Sequence, residues 1–264
     1  SIIYDDKTQK ATGVRVIDAN TKETTEYFAK IIFVNAATFN TNAVLLNSTS
    51  DRFPNGLGND NGLLGKYVAF HNYRGKINAT WEGHKDFRTL GGRPTSAYIP
   101  RFRNVYKQET DFLRGYASGF GAGRYREGNS DGFGAELTQN LLKDAEFGVW
   151  RVNSHMMGET IPKESNFLAL DQEKLDEWGI PTLKVNIDYD ENDEKMTQDF
   201  FEQLTDMYKK AGFTNIRTRD TKQAPGLDIH EMGGVRMGND PKTSLLNKWN
   251  QLHECKNVFV TDGA

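Results

Sequence analysis

A run of large apolar residues that stops abruptly at small ones constrains the fold most. Ile31-Ile32-Phe33-Val34 is followed directly by Asn35-Ala36-Ala37. An unbroken β-branched and aromatic run of this kind reads as a strand buried on both faces, the habit of parallel sheets. Asn40, Thr41 or Asn42 is placed to cap a short helix carrying Val44, Leu45 and Leu46. Buried strand, small-residue turn and helix start form the geometry that receives phosphate groups, although an ordinary strand-turn-helix shares the pattern. At the other end, Val258-Phe259-Val260 reads as a second buried strand running into the tight turn Thr261-Asp262-Gly263-Ala264. A strand end normally feeds a further element, so the sequence reads as an excerpt of a longer protein.

Between these ends the periodicities differ. Gly13 to Asp18 alternates as a strand, with a polar turn over Ala19 to Glu23 and a partner strand through Tyr27 to Ala29. Residues 53–66 are rich in Gly and Asn and read as a loop. Residues 71–160 combine glycines, scattered aromatics and short alternating stretches, which predicts an antiparallel sheet with long connections. Leu183 to Tyr189 predicts another strand. Asp190 to Ala211 predicts a helix, with Met196, Phe200, Leu204, Met207 and Ala211 on one face and Gly212 at its end. Its acidic first turn suits the helix dipole and calls for no catalytic carboxylate. Gly119-Phe120-Gly121-Ala122-Gly123 has close glycine spacing, but no buried strand precedes it and no helix pattern follows, as a nucleotide loop requires.

Composition narrows the function classes. The formal net charge of −3 offers no general attraction for nucleic acid. No apolar run reaches the roughly 18 residues of a membrane helix. Cys255 is the sole cysteine, which excludes an internal disulfide and a cysteine-based zinc site. No His-Glu-x-x-His pattern supports a metal, and no Gly-x-Ser-x-Gly elbow supports a hydrolase. His71 suits a structural hydrogen bond, and His84 and His253 lie in polar stretches that predict exposure. His155 either lines a substrate face or packs.

The segment richest in chemistry is Asp228-Ile229-His230-Glu231-Met232-Gly233-Gly234-Val235-Arg236-Met237-Gly238. Imidazole, with an ordinary pKa of about 6.5, is the best single side chain for accepting a proton at neutral pH. Glycines after it let backbone approach something bulky. The pattern His-x-x-Gly-x-x-Arg-Met-Gly, a Pro241 turn, and a strand ending in Val-x-Asp-Gly-Ala resembles the C-terminal half of the glucose-methanol-choline (GMC) oxidoreductases. Within that family it is most similar to the bacterial FAD-dependent sugar and polyol dehydrogenases. Gly13 to Val16, Ala29 to Ala37 and Asn42 to Ser48 resemble the family's second FAD-contacting segment. Asn61 to Tyr67 resembles its "Gly-Arg-Asn-Leu" stretch, and Trp178-Gly179-Ile180-Pro181 a turn of its substrate domain. This chain departs from the family at Thr38, where the family commonly has Gly, and at Gly234, where it commonly has Thr.

The resemblance implies an α+β fold in interleaved parts: residues 1–70 and 225–264 as pieces of a Rossmann-like FAD-binding domain, and 71–224 as an antiparallel-sheet substrate domain. It implies oxidation of an alcohol CH-OH group, of a sugar or polyol, by hydride transfer to flavin N5 with His230 as general base. Ala36, Ala37, Asp262, Gly263 and Ala264 would contact FAD, and no metal is implied. Arg236 would support the loop, favour an anionic flavin or pair with a carboxylate. The N-terminal Gly-x-Gly-x-x-Gly fingerprint and the second active-site residue would lie outside residues 1–264. The partners implied are a sugar or polyol substrate and an electron acceptor, for which a separate electron-transfer subunit is one candidate; a periplasmic site fits the resemblance. Two alternatives stay open. One is a non-enzymatic carbohydrate-binding module, suggested by Phe120, Tyr125, Phe133 and Trp150; the other is an inactive fragment.

Overall fold

The computed structural model describes residues 1–86, 96–124, 126–127, 132–142 and 146–264; Tyr125 lies outside them. In chain order the elements are β1 (Ile2–Asp5), β2 (Lys10–Ile17), β3 (Thr24–Phe28), β4 (Ile32–Val34), α1 (Thr38–Leu46), β5 (Lys66–Ala69), β6 (His71–Asn72), β7 (Gly75–Trp81) and β8 (Ala97–Ile99). Then follow β9 (Tyr116–Gly123), β10 (Arg126–Glu127), α2 (Ala135–Leu142), β11 (Glu146–Phe147), β12 (Trp150–Glu159), β13 (Phe167–Leu175), β14 (Pro181–Asn186), α3 (Glu191–Lys210), β15 (Thr214–Asp220), β16 (Met232–Gly234) and β17 (Val258–Val260). The fold is α+β, with antiparallel sheets dominating.

The chain divides into two compact units. The first comprises Ser1–His71, Thr160–Asp188 and Pro225–Ala264; the second comprises Asn72–Glu159 and Tyr189–Ala224. The strands of 160–188 thus group with the first unit and not with residues 72–159.

In the first unit, β1, β2 and β3 form an antiparallel meander, and β14, β13, β5 and β16 form a four-stranded sheet. The apolar run near the start and the one at the end meet: β17 pairs with β4 in parallel, with Val258 beside Ile32 and Val260 beside Val34. Those four side chains enter a core with Leu45, Leu57, Val235 and Leu252. The expectation of a strand buried on both faces fails within this chain. Phe33 is 62% exposed and Ile31 56%, and Phe33 stacks on Phe259 at 5.3 Å between ring centroids. Among the described residues nothing covers the outer face of this strand pair, a face that parallel sheets normally hide under helices.

In the second unit, β15, β7, β12, β9 and β8 form one sheet in that order. Ile77, Ala79, Val152 and Met156 point to one side, where Met196, Phe200, Leu204 and Tyr208 of α3 complete the core. The start of α3 is set by a capping box. Asp190 accepts from the Asn192 and Asp193 amides, and the Asp193 carboxylate accepts from the Asp190 amide. Tyr208 is the buried residue of the last turns, Met207 packs partly buried against the same core as the sequence reading placed it, and Ala211 is exposed.

Arg74, 4% exposed, ties this unit together. Its guanidinium binds both oxygens of Glu194, at 2.5 and 3.1 Å, and both of Asp220, at 2.5 and 3.1 Å. Burial pushes the Asp220 carboxyl up, but hydrogen bonds from Arg74 and Lys222 outweigh it and hold the group well below the usual carboxylate range. Arg74→Met should cost about 2–3 kcal/mol. That is below the value for fully buried pairs, because Glu194 is half exposed. A depressed folded-state pKa contributes stability above the unfolded carboxyl's pKa and loses it as pH falls through the folded value. The stability advantage of wild type over Asp220→Asn should therefore be full at neutral pH and shrink below about pH 4, read by denaturant melts across that range.

Candidate active site

The site forms where the tips of β4 and β17 meet the start of α1 and the loop before β16. Helix α1 begins at Thr38, earlier than the predicted caps Asn40, Thr41 or Asn42. Its N-cap is Ala37, which has no side chain to cap with and takes φ 64°. Thr41 and Asn42 sit inside the helix and bind elsewhere. Thr41 Oγ1 donates to Asp262 Oδ2 at 2.6 Å and accepts from the Ala36 amide at 3.0 Å. Asn42 Nδ2 donates to the carbonyls of Thr38 (2.8 Å) and Gly233 (3.1 Å).

These bonds fasten the histidine loop to the strand tips. Thr38 Oγ1 donates to the Glu231 carbonyl at 2.6 Å, and the Gly233 amide donates to the Gly263 carbonyl at 2.9 Å. The departure at Thr38 has a use: its hydroxyl is a tie, and the residue is 3% exposed, so it does not project outward. The departure at Gly234 has a steric reason, because a Cβ there would lie 2.3 Å from Asn42 Oδ1.

His230 is exposed in this chain and takes φ 66°, in the left-handed region. That conformation costs a residue with a Cβ about 1–2 kcal/mol, and it recurs at Ala37 on the same site. His230 Nδ1 lies 3.0 Å from His71 Nε2, with the rings edge to face at 5.2 Å. Register explains the meeting: β16 pairs antiparallel with β5, with Met232 opposite Ala69, so two residues back along one strand and two forward along the other bring 230 to 71.

The remaining sequence-derived residues divide clearly. Ala36, Ala37, Asp262, Gly263 and Ala264 converge with His230 on this end of the first unit, and the Asp262 carboxylate is held by Thr41 and by the Ala264 amide at 3.0 Å. Arg236 stacks its guanidinium over the Tyr67 ring at 4.5 Å, a cation–π contact where a carboxylate pair was one expectation. His253 is half-buried, with Nε2 3.1 Å from Ser244 Oγ and from the Gly238 carbonyl, against the expected exposure. Phe120 and Trp150 line one aromatic pocket with Trp81 and Phe213, whereas Phe133 is 94% exposed at the start of α2. His71 is the residue that sequence reasoning undervalued; only strand register could have paired it with His230.

Among the described residues no group of three His, Cys, Asp or Glu side chains could hold a metal. No helix there is long and apolar enough to cross a membrane.

At this end of the first unit an uncapped helix start lies beside two parallel strand tips and is faced by the histidine loop. The chain's fold is similar to a formate oxidase of Aspergillus oryzae RIB40 solved in a study of FAD modification. The TM-score is 0.63 over 100% of this chain and 54% of that one, at 12% identity. Residues 162–264 match the sequence model of the family described as GMC oxidoreductase. The chain is 33% identical to 2-methyl-1,2-propanediol dehydrogenase of Mycolicibacterium austroafricanum, over 98% of its length and 47% of that protein. It is 26% identical to the fructose dehydrogenase large subunit of Gluconobacter japonicus, over 98% and 46%. The chain belongs to the GMC oxidoreductase family. It spans about half the length of the curated relatives it matches.

Proposed function

We propose that the protein oxidises an alcohol CH-OH group of a sugar or polyol, with FAD as cofactor and His230 as general base. The observation that carries this reading is the set of hydrogen bonds locking the His230 loop to α1 and to the end of β17.

The residues present fit FAD. Helix α1 starts without a side-chain cap, which leaves its first-turn amides for a phosphate-bearing group. The Asp262 carboxylate, already oriented by Thr41 and the Ala264 amide, suits the hydroxyls of a ribityl or ribose. Ala36 and Ala37 carry the smallest side chains that have a Cβ, which keeps the approach to α1 open. When bound, FAD supplies the hydride acceptor. His230 takes the substrate hydroxyl proton on the imidazole nitrogen that does not face His71. His71 is a positioning residue: its Nε2 fixes the ring and the tautomer of His230 through Nδ1. The Phe33–Phe259 face is the surface on which the rest of the FAD domain packs.

Re-oxidation falls to a separate electron-transfer subunit in this reading, in keeping with the words "large subunit" in the name of the fructose dehydrogenase relative. The fold and family support it over a carbohydrate-binding module.

The test is anaerobic mixing of the intact flavoprotein with a panel of polyols and sugars. Loss of the flavin's visible absorbance with at least one of them is expected; an unchanged spectrum with every CH-OH donor would refute the reading. Residues 1–264 alone should bind FAD weakly or not at all, because much of the expected cofactor cradle lies outside them. A yellow purified chain with stoichiometric flavin would contradict this. His71→Ala should slow flavin reduction about tenfold, the equivalent of one hydrogen bond, with His71→Gln restoring part of it. Equal rates in wild type and His71→Ala would remove the positioning role.

A further inference from the structure

The turn that leads into His230 reverses the usual placing of apolar and charged side chains. Leu227 is 72% exposed and Ile229 53%, while Asp228 between them is half-buried. Its Oδ2 atom is shut off from solvent, and among the described residues no donor reaches it. Buried polar atoms are almost always paired, and leaving a carboxylate oxygen without a partner costs stability. A turn that points its acid inward and its leucine and isoleucine outward therefore calls for a reason other than folding.

The reason lies two residues further on. Two residues of chain span at most about 7 Å, so the Cα atoms of Asp228 and His230 lie within that distance, and both belong to the first unit. An oxygen that no donor touches acts on its surroundings through its field, and in a half-buried site of lowered effective dielectric that field reaches a charge several ångströms away. In the proposed reaction a positive charge appears there. The substrate O–H bond breaks and an N–H bond forms on His230 Nε2, which turns the neutral imidazole into imidazolium; the hydride leaves the carbon with its electron pair for the flavin. His71, 3.0 Å from His230 Nδ1, holds the ring but brings no negative charge to offset the new cation. Glu231, the other carboxylate of the loop, is also half-buried and contributes a field of the same sign.

We infer that Asp228 is a positioning residue that acts through His230: its unpartnered carboxylate stabilises the imidazolium formed as the alcohol proton is transferred. The inference rests on the reading of His230 as general base. The cost of burying the oxygen is present throughout, whereas the attraction arises only once the ring is charged. An interaction of that kind raises the rate and leaves substrate binding unchanged.

The experiment is anaerobic stopped-flow reduction of the intact flavoprotein by a neutral polyol, in wild type, Asp228→Asn, Asp228→Glu, and Asp228→Asn combined with His230→Ala. Asp228→Asn should lower the limiting rate of flavin reduction about tenfold, with the half-saturating polyol concentration and the flavin content unchanged. Asp228→Glu, which keeps the charge, should restore part of the rate. The melting temperature of Asp228→Asn should be no lower than that of wild type, because the amide of the same shape removes an unpaired charge. In the His230→Ala background the same substitution should change the rate by less than about twofold, since the ring through which it acts is gone. Equal rates in wild type and Asp228→Asn would overturn the inference, as would equal losses in the two backgrounds, which would place the action of the carboxylate elsewhere. A lowered melting temperature with loss of flavin would make the residue structural and overturn it too. A wild-type flavin that no alcohol reduces would remove the general-base reading and this inference with it, whereas equal rates in a wild type that is reduced would remove this inference alone.

Discussion

Replacing His230 with alanine in the intact flavoprotein should slow flavin reduction by the alcohol substrate by about 10²–10⁴-fold, the usual contribution of a positioned general base, while the flavin stays bound. The separation of the two effects follows from the geometry. The side chain of His230 makes a hydrogen bond to His71 and is otherwise exposed. The loop is held instead through backbone carbonyls, by Thr38 to Glu231 and by Asn42 to Gly233. Removing the ring leaves those ties intact. Alanine at 230 also keeps a Cβ at φ 66°, so the backbone strain is unchanged and does not confound the result. Stopped-flow absorbance reads the rate and the bound flavin spectrum reads occupancy. Unchanged reduction would remove His230 from the chemistry, and loss of flavin would make its role structural.

The second large effect is on stability. Gly233→Ala should destabilise the first unit by about 3–4 kcal/mol, a large share of a typical 5–15 kcal/mol total. Gly233 has φ +94°, and a Cβ there would lie 2.3 Å from the Tyr67 carbonyl oxygen and 3.2 Å from Val68 Cα. Both neighbours are backbone of β5 or its edge, so the clash has no flexible side chain to absorb it. The strand pair β5–β16 must part, and that pairing is what brings His230 to His71. A melting temperature within a degree of wild type, with normal flavin reduction, would show that the loop tolerates the shift. Gly62→Ala serves as the comparison: it also has positive φ, +69°, but nothing lies within 4 Å of the added carbon, so a loss of only about 1 kcal/mol is expected.

Local sequence carried the elements whose periodicity matched their burial. The α3 helix was legible from Met196, Phe200 and Leu204, and its start from the acidic run that begins at Asp190. The strand at Val258–Val260 was legible from its β-branched residues. Where reading failed, a tertiary contact had overruled a local signal. Thr41 and Asn42 look like caps, yet their side chains are taken by Asp262 and by the Thr38 and Gly233 carbonyls, and α1 starts at an alanine instead. Phe33 looks buried because it sits in an apolar run, yet its face of β4 is uncovered here. His71 and His230 are 159 residues apart, and no spacing rule joins them; only the Met232–Ala69 register does.

The rate of anaerobic flavin reduction in His230→Ala, with and without added imidazole, is the most direct test of the side chain's role. A base in solution can take the hydroxyl proton that the missing ring would accept. Added imidazole should therefore raise the variant's rate in proportion to its concentration and leave wild type unchanged. A variant rate that does not respond to imidazole would contradict the account.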